Sequence, residues 1–139
     1  MIETISVFRP NENNMNGVSK LKKLHSLSKA IITKYYKPPM ICRYHDCLNN
    51  SYKYQDGYGG KIIGGYYLLS DNDNEDNFVA IKHFVIERNN TILDITPNHY
   101  FDELIYLPTN NYETLLKSPD YCEFINQELI PYHNVKSNL

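Results

Sequence analysis

The sequence predicts a single α+β domain, an antiparallel sheet with helices packed on it, and three observations point there. Runs rich in Ile, Val, Phe and Tyr at 61–69 (KIIGGYYLL), 78–87 (FVAIKHFVIE) and 91–95 (TILDI) read as strands. The connection Arg88-Asn89-Asn90 is short and supplies Asn, which tolerates a positive φ, so the last two runs form an antiparallel hairpin. Val18, Leu21, Leu24, Ile31, Ile32 and Tyr35 recur mostly at spacings of three, four and seven, which is one apolar face of a helix over 18–36. The 139 residues suit one domain. A chain of that size buries roughly two-thirds of its unfolded surface and needs neither disulfide nor metal to fold.

The remaining elements follow in chain order. Residues 1–17 are polar, with Pro10 and an Asn-rich run, and read as an irregular N-terminal segment apart from a short strand around Ile2, Ile5 and Val7. Ser19 offers an N-cap for the first helix, and Pro38-Pro39 stops it. Asp46 is placed to cap a second, shorter helix that begins at Cys47 and runs towards Tyr54, where Asp56-Gly57 and Gly59-Gly60 break it. The loop 70–77 (SDNDNEDN) is too polar to be anything but exposed. Past Pro97, 103–107 reads as a further strand, while 112–117 and 120–129 read as helices, the latter opened by Ser118-Pro119.

Composition narrows the function classes. A formal net charge of −2 leaves no basic footprint for nucleic acid. The 13 Tyr, the many Asn and the absence of Trp fit an AT-rich coding sequence better than an aromatic binding surface. No apolar run approaches the ~20 residues that span a bilayer, and Glu3, Arg9 and Pro10 interrupt any signal peptide. Three Cys, an odd number, argue against a disulfide framework and for a reducing compartment. A cytoplasmic protein with no membrane association and no cofactor is the expectation.

The chemistry-bearing feature is an order: Cys47 at a helix start, His83 in a strand, Asp94 in the next strand. A thiol attacks as thiolate, which the N–H groups of a helix N-terminus and a nearby imidazolium both favour. A carboxylate on the second ring nitrogen holds the imidazole in one orientation. With 88–90 as the turn, facing positions sum to about 177 or 179, so the hairpin sets His83 beside Asp94. The Cys47 N–H, His45 and Asn50 are candidate oxyanion donors. Gly64-Gly65 inside a strand signals a bulge or a close backbone approach, plausibly by an extended substrate.

The stretch from Cys47 to Pro97 resembles the transglutaminase-like branch of the papain-like superfamily. The matching pieces are CLNN at 47–50, GGKIIGGYY at 59–67, HFVIE at 83–87 and LDITP at 93–97. Small members with a C-x-x-N, Gly-Gly strand, H-x-V and D-x-T-P pattern are the most similar. The branch often carries Trp beside the Cys and two residues past the His, where this chain has Val85 and no Trp anywhere. The resemblance implies a thiol-dependent hydrolase or acyl transferase with Cys47, His83 and Asp94 as its triad, acting on an amide or ester carbonyl of a peptide or protein.

Two other readings stand beside it. A non-catalytic protein-binding module on the same fold, from a virus or mobile element, fits the small size and the missing Trp. Cys42-x-x-His45-x-Cys47 has some zinc-ligand character, which His83, His99, Cys122 or His133 could complete, although no second Cys/His pair lies close by. The acidic residues Asp71, Asp73, Glu75 and Asp76 lack the Gly and terminal Glu of a calcium loop and read as solvated.

Overall fold

The computed structural model describes residues 2–98 and 101–133. It is an α+β fold with a large antiparallel sheet and two helices, in the predicted class. The strands are β1 (Ile5–Val7), β2 (Ile31–Lys34), β3 (Lys61–Asp71), β4 (Phe78–Arg88), β5 (Thr91–Leu93), β6 (Glu103–Thr109), β7 (Tyr121–Ile125) and β8 (Glu128–Tyr132). The helices are α1 (Glu12–His25) and α2 (Cys47–Tyr58). The main sheet runs β2-β6-β3-β4-β7-β8, with β1 paired to β3 and β5 paired to β4.

The three strands read from sequence are all present. β3 and β4 pair without interruption from Lys61↔Glu87 to Ser70↔Phe78. β4 and β5 pair as Ile86↔Leu93, Glu87↔Ile92 and Arg88↔Thr91, so the register is the one whose positions sum to 179. The turn is the two residues Asn89 and Asn90, at φ 52 and 61, with Arg88 belonging to the strand. Two positive φ values in a two-residue loop match the right-handed twist of the strands it joins.

Four expectations need correction. The helix predicted over 18–36 lies instead at Glu12–His25, and 31–34 is a strand. Asn11 starts α1: its side chain accepts from the Asn14 N–H, while the Asn14 side chain accepts from the Asn11 N–H. This reciprocal cap lies in the Asn-rich stretch read as irregular, and Ser19 is interior to the helix. Ser26, in the left-handed region at φ 53, ends it. Ile31, Ile32 and Thr33 fit the helical spacing, but three β-branched residues in a row favour the extended chain. Second, 120–129 is a hairpin, with Asn126 and Gln127 at φ 51 and 65 between β7 and β8. Third, 112–117 holds only a 3-10 turn at Tyr112–Leu115. Asp56-Gly57 does not break α2 either, which continues to Tyr58 and ends at Gly59 and Gly60, φ 80 and 98.

The main core lies on one face of the sheet, where Leu21 of α1 and Tyr54 of α2 join Phe78, Phe84, Ile86, Leu107 and Phe124. Gly17 is what lets α1 approach, because a Cβ there would stand 2.6 Å from the Phe124 ring. A smaller cluster of Ile63, Val85 and Tyr106 forms on the opposite face, backed by Ile31, Tyr67 and Ile92. The chain after β2 comes round to the chain after β5: Tyr35 bridges Asp94, and the Tyr36 N–H donates to the Asp94 carbonyl at 2.8 Å. Strands β2, β6, β3, β4 and β5 thereby curl about the smaller cluster. Among the described residues no helix is long and apolar enough to cross a membrane.

Candidate functional site

His83 occupies a break in the sheet. The outer edge of β4 is paired to β7 over Phe78–Ile81 and to β5 over Ile86–Arg88, and His83 falls between the two. In a strand, alternate residues share a face, so His83 points with Val85 into the smaller cluster. Tyr67 and Tyr106 meet the imidazole edge-on, at centroid distances of 5.2 and 6.1 Å. The Tyr106 hydroxyl donates to the His83 carbonyl at 2.8 Å and thereby fixes the strand beneath the ring.

Asp94 reaches His83 because the hairpin register sets it on the same face, diagonal to the position opposite His83. Its Oδ2 lies 2.9 Å from His83 Nε2, and both side chains are buried. The Thr96 N–H donates to Oδ1 at 3.3 Å, so each carboxylate oxygen has its own partner. The Cys47 side chain also acts on the ring and favours its protonated form.

Burial pushes the His83 pKa down, but the Asp94 charge, the hydrogen bond to Asp94 and the Cys47 thiol outweigh it and raise the value to about 10. The imidazole is therefore held as a cation through the neutral range. Burial, with the Cys47 and Asp94 charges added, raises the Tyr67 hydroxyl above its usual range, which keeps that neighbour neutral.

Cys47 is the first residue of α2 and half-buried. Asp46 occupies the N-cap position without bonding the helix N–H groups through its side chain. Its carboxylate accepts instead from Asn49 Nδ2 at 2.9 Å. Asn50 is fully buried, and its amide is engaged on both sides. Nδ2 donates to the Arg43 carbonyl at 2.8 Å and to Thr96 Oγ1 at 3.0 Å, and Oδ1 accepts the Arg43 N–H at 3.1 Å. An amide has two N–H donors, so none is left for an oxyanion. The expected donor role of Asn50 is therefore corrected to a clamp between α2, the loop before it and the Asp94 segment. Replacing Asn50 with Ala should destabilise the fold by about 2–4 kcal/mol, since it orphans several buried groups at once; the shift of the urea unfolding midpoint measures it. His45 is exposed, at φ 59 in the turn two residues before Cys47.

Gly64 and Gly65 are not part of a substrate surface. β3 passes through them with unbroken pairing and no bulge. A Cβ on Gly65 would sit 2.1 Å from the Leu107 carbonyl oxygen, and one on Gly64 would sit 3.0–3.1 Å from Tyr112, Leu115 and Phe84. The close approach read from sequence is thus made by the protein's own chain. Gly65→Ala should cost about 3 kcal/mol through overpacking against backbone that cannot yield, again read from the unfolding midpoint, whereas Gly57→Ala meets nothing within 4 Å and serves as the control.

Among the described residues no three His, Cys, Asp or Glu side chains converge as metal ligands. The zinc arrangement considered for Cys42, His45 and Cys47 is not assembled among them, and His99 lies outside the described residues. Sequence reasoning did not single out Tyr67, Tyr106 or the Asn50–Thr96 bond. The alternation of β3 contained the signal for Tyr67, which shares the face of Gly65, the partner of His83. Comparison with family models, with curated proteins and with solved structures finds no match to this chain.

Proposed function

We propose that this protein is a thiol-dependent hydrolase or acyl transferase of papain-like or transglutaminase-like design. The observation that carries the reading is a buried His83 bonded to the Asp94 carboxylate, with Cys47, the residue that opens a helix, acting on the same ring. A nucleophile, a proton carrier and the group that orients it are the parts acyl transfer requires.

In this reading Cys47 sulfur attacks an amide or ester carbonyl carbon. The carbonyl oxygen becomes an oxyanion, which unpaired N–H groups at the start of α2 stabilise. His83 gives its proton to the leaving amine or alcohol as the tetrahedral adduct collapses to a thioester. Water or an amine then attacks the thioester, His83 takes the proton, and the thiolate departs. Asp94 holds the ring and balances its charge throughout. An open groove of about 590 Å³, lined by Ile32, Lys34, Tyr35, Tyr36, Ile92 and Glu103, lies beside the Tyr35–Asp94 bridge. Its mixed apolar and charged lining suits a peptide or protein segment. A free-thiol nucleophile suits a reducing compartment such as the cytoplasm.

The test is turnover of activated acyl esters and of glutamine-containing peptide amides by purified protein. Cys47→Ala and His83→Ala should each abolish release of the alcohol or amine while far-ultraviolet circular dichroism is unchanged. Turnover by Cys47→Ala equal to wild type would exclude the enzyme and leave the protein-binding module.

A further inference from the structure

We propose that Asn50 and Thr96 are positioning residues that lock the first turn of α2 to the His83–Asp94 pair, an inference that rests on the thiol-hydrolase reading and deepens it. Cys47 and Asn50 stand three residues apart on α2 and so share a helix face. Asp94 and Thr96 stand two apart in the bend after β5, where the Thr96 N–H bonds the Asp94 carboxylate and holds the two side chains at the same junction. The Asn50 Nδ2–Thr96 Oγ1 bond of 3.0 Å joins these two pairs across 46 residues of chain, and it is buried. The Thr96 N–H then bonds Asp94 Oδ1, leaving Oδ2 for His83 Nε2. The result is a circuit that runs from the first turn of α2 through Asn50, Thr96 and Asp94 to His83.

The circuit gives a physical meaning to the spacing C-x-x-N with D-x-T. A helix start and a hairpin edge are separate bodies, and the sulfur must meet one ring nitrogen. A side-chain amide that is already fixed to the backbone of Arg43 on both of its faces is a rigid strut for that purpose. The remaining N–H is directed at Thr96, so the hydroxyl is the replaceable element of the strut. It can be removed without touching the thiol, the imidazole or the carboxylate.

Thr96→Val keeps the shape of Thr96 and removes its hydroxyl, while Thr96→Ser keeps the hydroxyl. The readouts are the pH–rate profile of Cys47 alkylation by iodoacetamide, with peptide mapping, and the ring signals of His83 in nuclear magnetic resonance spectra. Thr96→Val should slow Cys47 alkylation by up to about tenfold and by no more than His83→Ala does, because it acts through that ring. It should also move the His83 signals, and Thr96→Ser should restore both. Should Thr96→Val fail to fold, Thr96→Ala is read in its place, because it removes the hydroxyl without crowding Asn50. A wild-type profile in the variant lacking the hydroxyl, with His83→Ala slow, would overturn the positioning role and leave the enzyme reading standing. Equal slowing by Val and Ser would overturn it too, as a packing effect. A His83→Ala variant as reactive as wild type would remove the enzyme reading and this inference together.

Discussion

Iodoacetamide at neutral pH is expected to label Cys47 at least about tenfold faster than Cys42 or Cys122, whose thiols burial pushes up. The three thiols differ in their surroundings. Cys122 is 1% exposed, and burial pushes its thiol up to about 11. At pH 7 such a thiol is ionised to about one part in ten thousand. Burial also raises Cys42, an effect Lys53 only partly offsets. Cys47 alone acts on the ring of His83, and it stands at a helix start whose N-cap side chain makes no bond to the helix N–H groups. His83→Ala should slow Cys47 alkylation by about tenfold or more and leave the other two unchanged. Peptide mapping of a time course reads all three sites in one experiment. Equal labelling rates would mean that the cation does not reach the sulfur.

Asp94→Ala is expected to destabilise the domain by about 3–5 kcal/mol at neutral pH, because it removes the carboxylate that stabilises the buried ring in its protonated form. The pH dependence should change sign with it. In the wild type the folded His83 value is raised from 6.5 to about 10. Its contribution is therefore complete below pH 6.5 and fades as pH rises through about 10. Without Asp94, burial dominates, and the folded ring prefers to be neutral. The variant should then gain stability as pH rises through the ordinary histidine range, where the wild type holds or loses it. Urea unfolding at several pH values between about 6 and 10 separates the two slopes. Parallel slopes would show that His83 is not held charged by Asp94.

The part of this molecule most legible in sequence was the sheet around His83. Strands β3, β4 and β5 carry long β-branched and aromatic runs, and Asn89-Asn90 is a turn by its own conformational preference. Because a hairpin register follows from its turn, the neighbourhood of His83 and Asp94 followed from local chemistry. Cys47 at a helix start was legible for the same reason, from Asp46 and the break at Gly59-Gly60. What escaped depends on contacts distant in sequence. The residues Ile31–Lys34 satisfy a helical period and a strand propensity at once, and pairing with β6 decides between them. Tyr121–Ile125 follows a Pro that commonly opens helices, but β4 offers it an edge. Asn50 looked like a free polar side chain on a first helical turn. Only the folding back of the loop before α2, and the arrival of Thr96, show that its amide is fully spent. Gly64 and Gly65 signalled a close approach correctly in kind, while its partner was the protein's own β6 and the 3-10 turn.

In the proposed reading Cys47 forms a covalent acyl intermediate with His83 as its proton carrier. Intact-mass spectrometry of the protein during reaction with p-nitrophenyl acetate tests it directly. The expected result is a single acetyl adduct that maps to Cys47, disappears on standing as the thioester is hydrolysed, and is absent from Cys47→Ala and scarcely formed by His83→Ala. A chain that stays unmodified, or one acetylated to the same extent at Cys47 whether or not His83 is present, would contradict it.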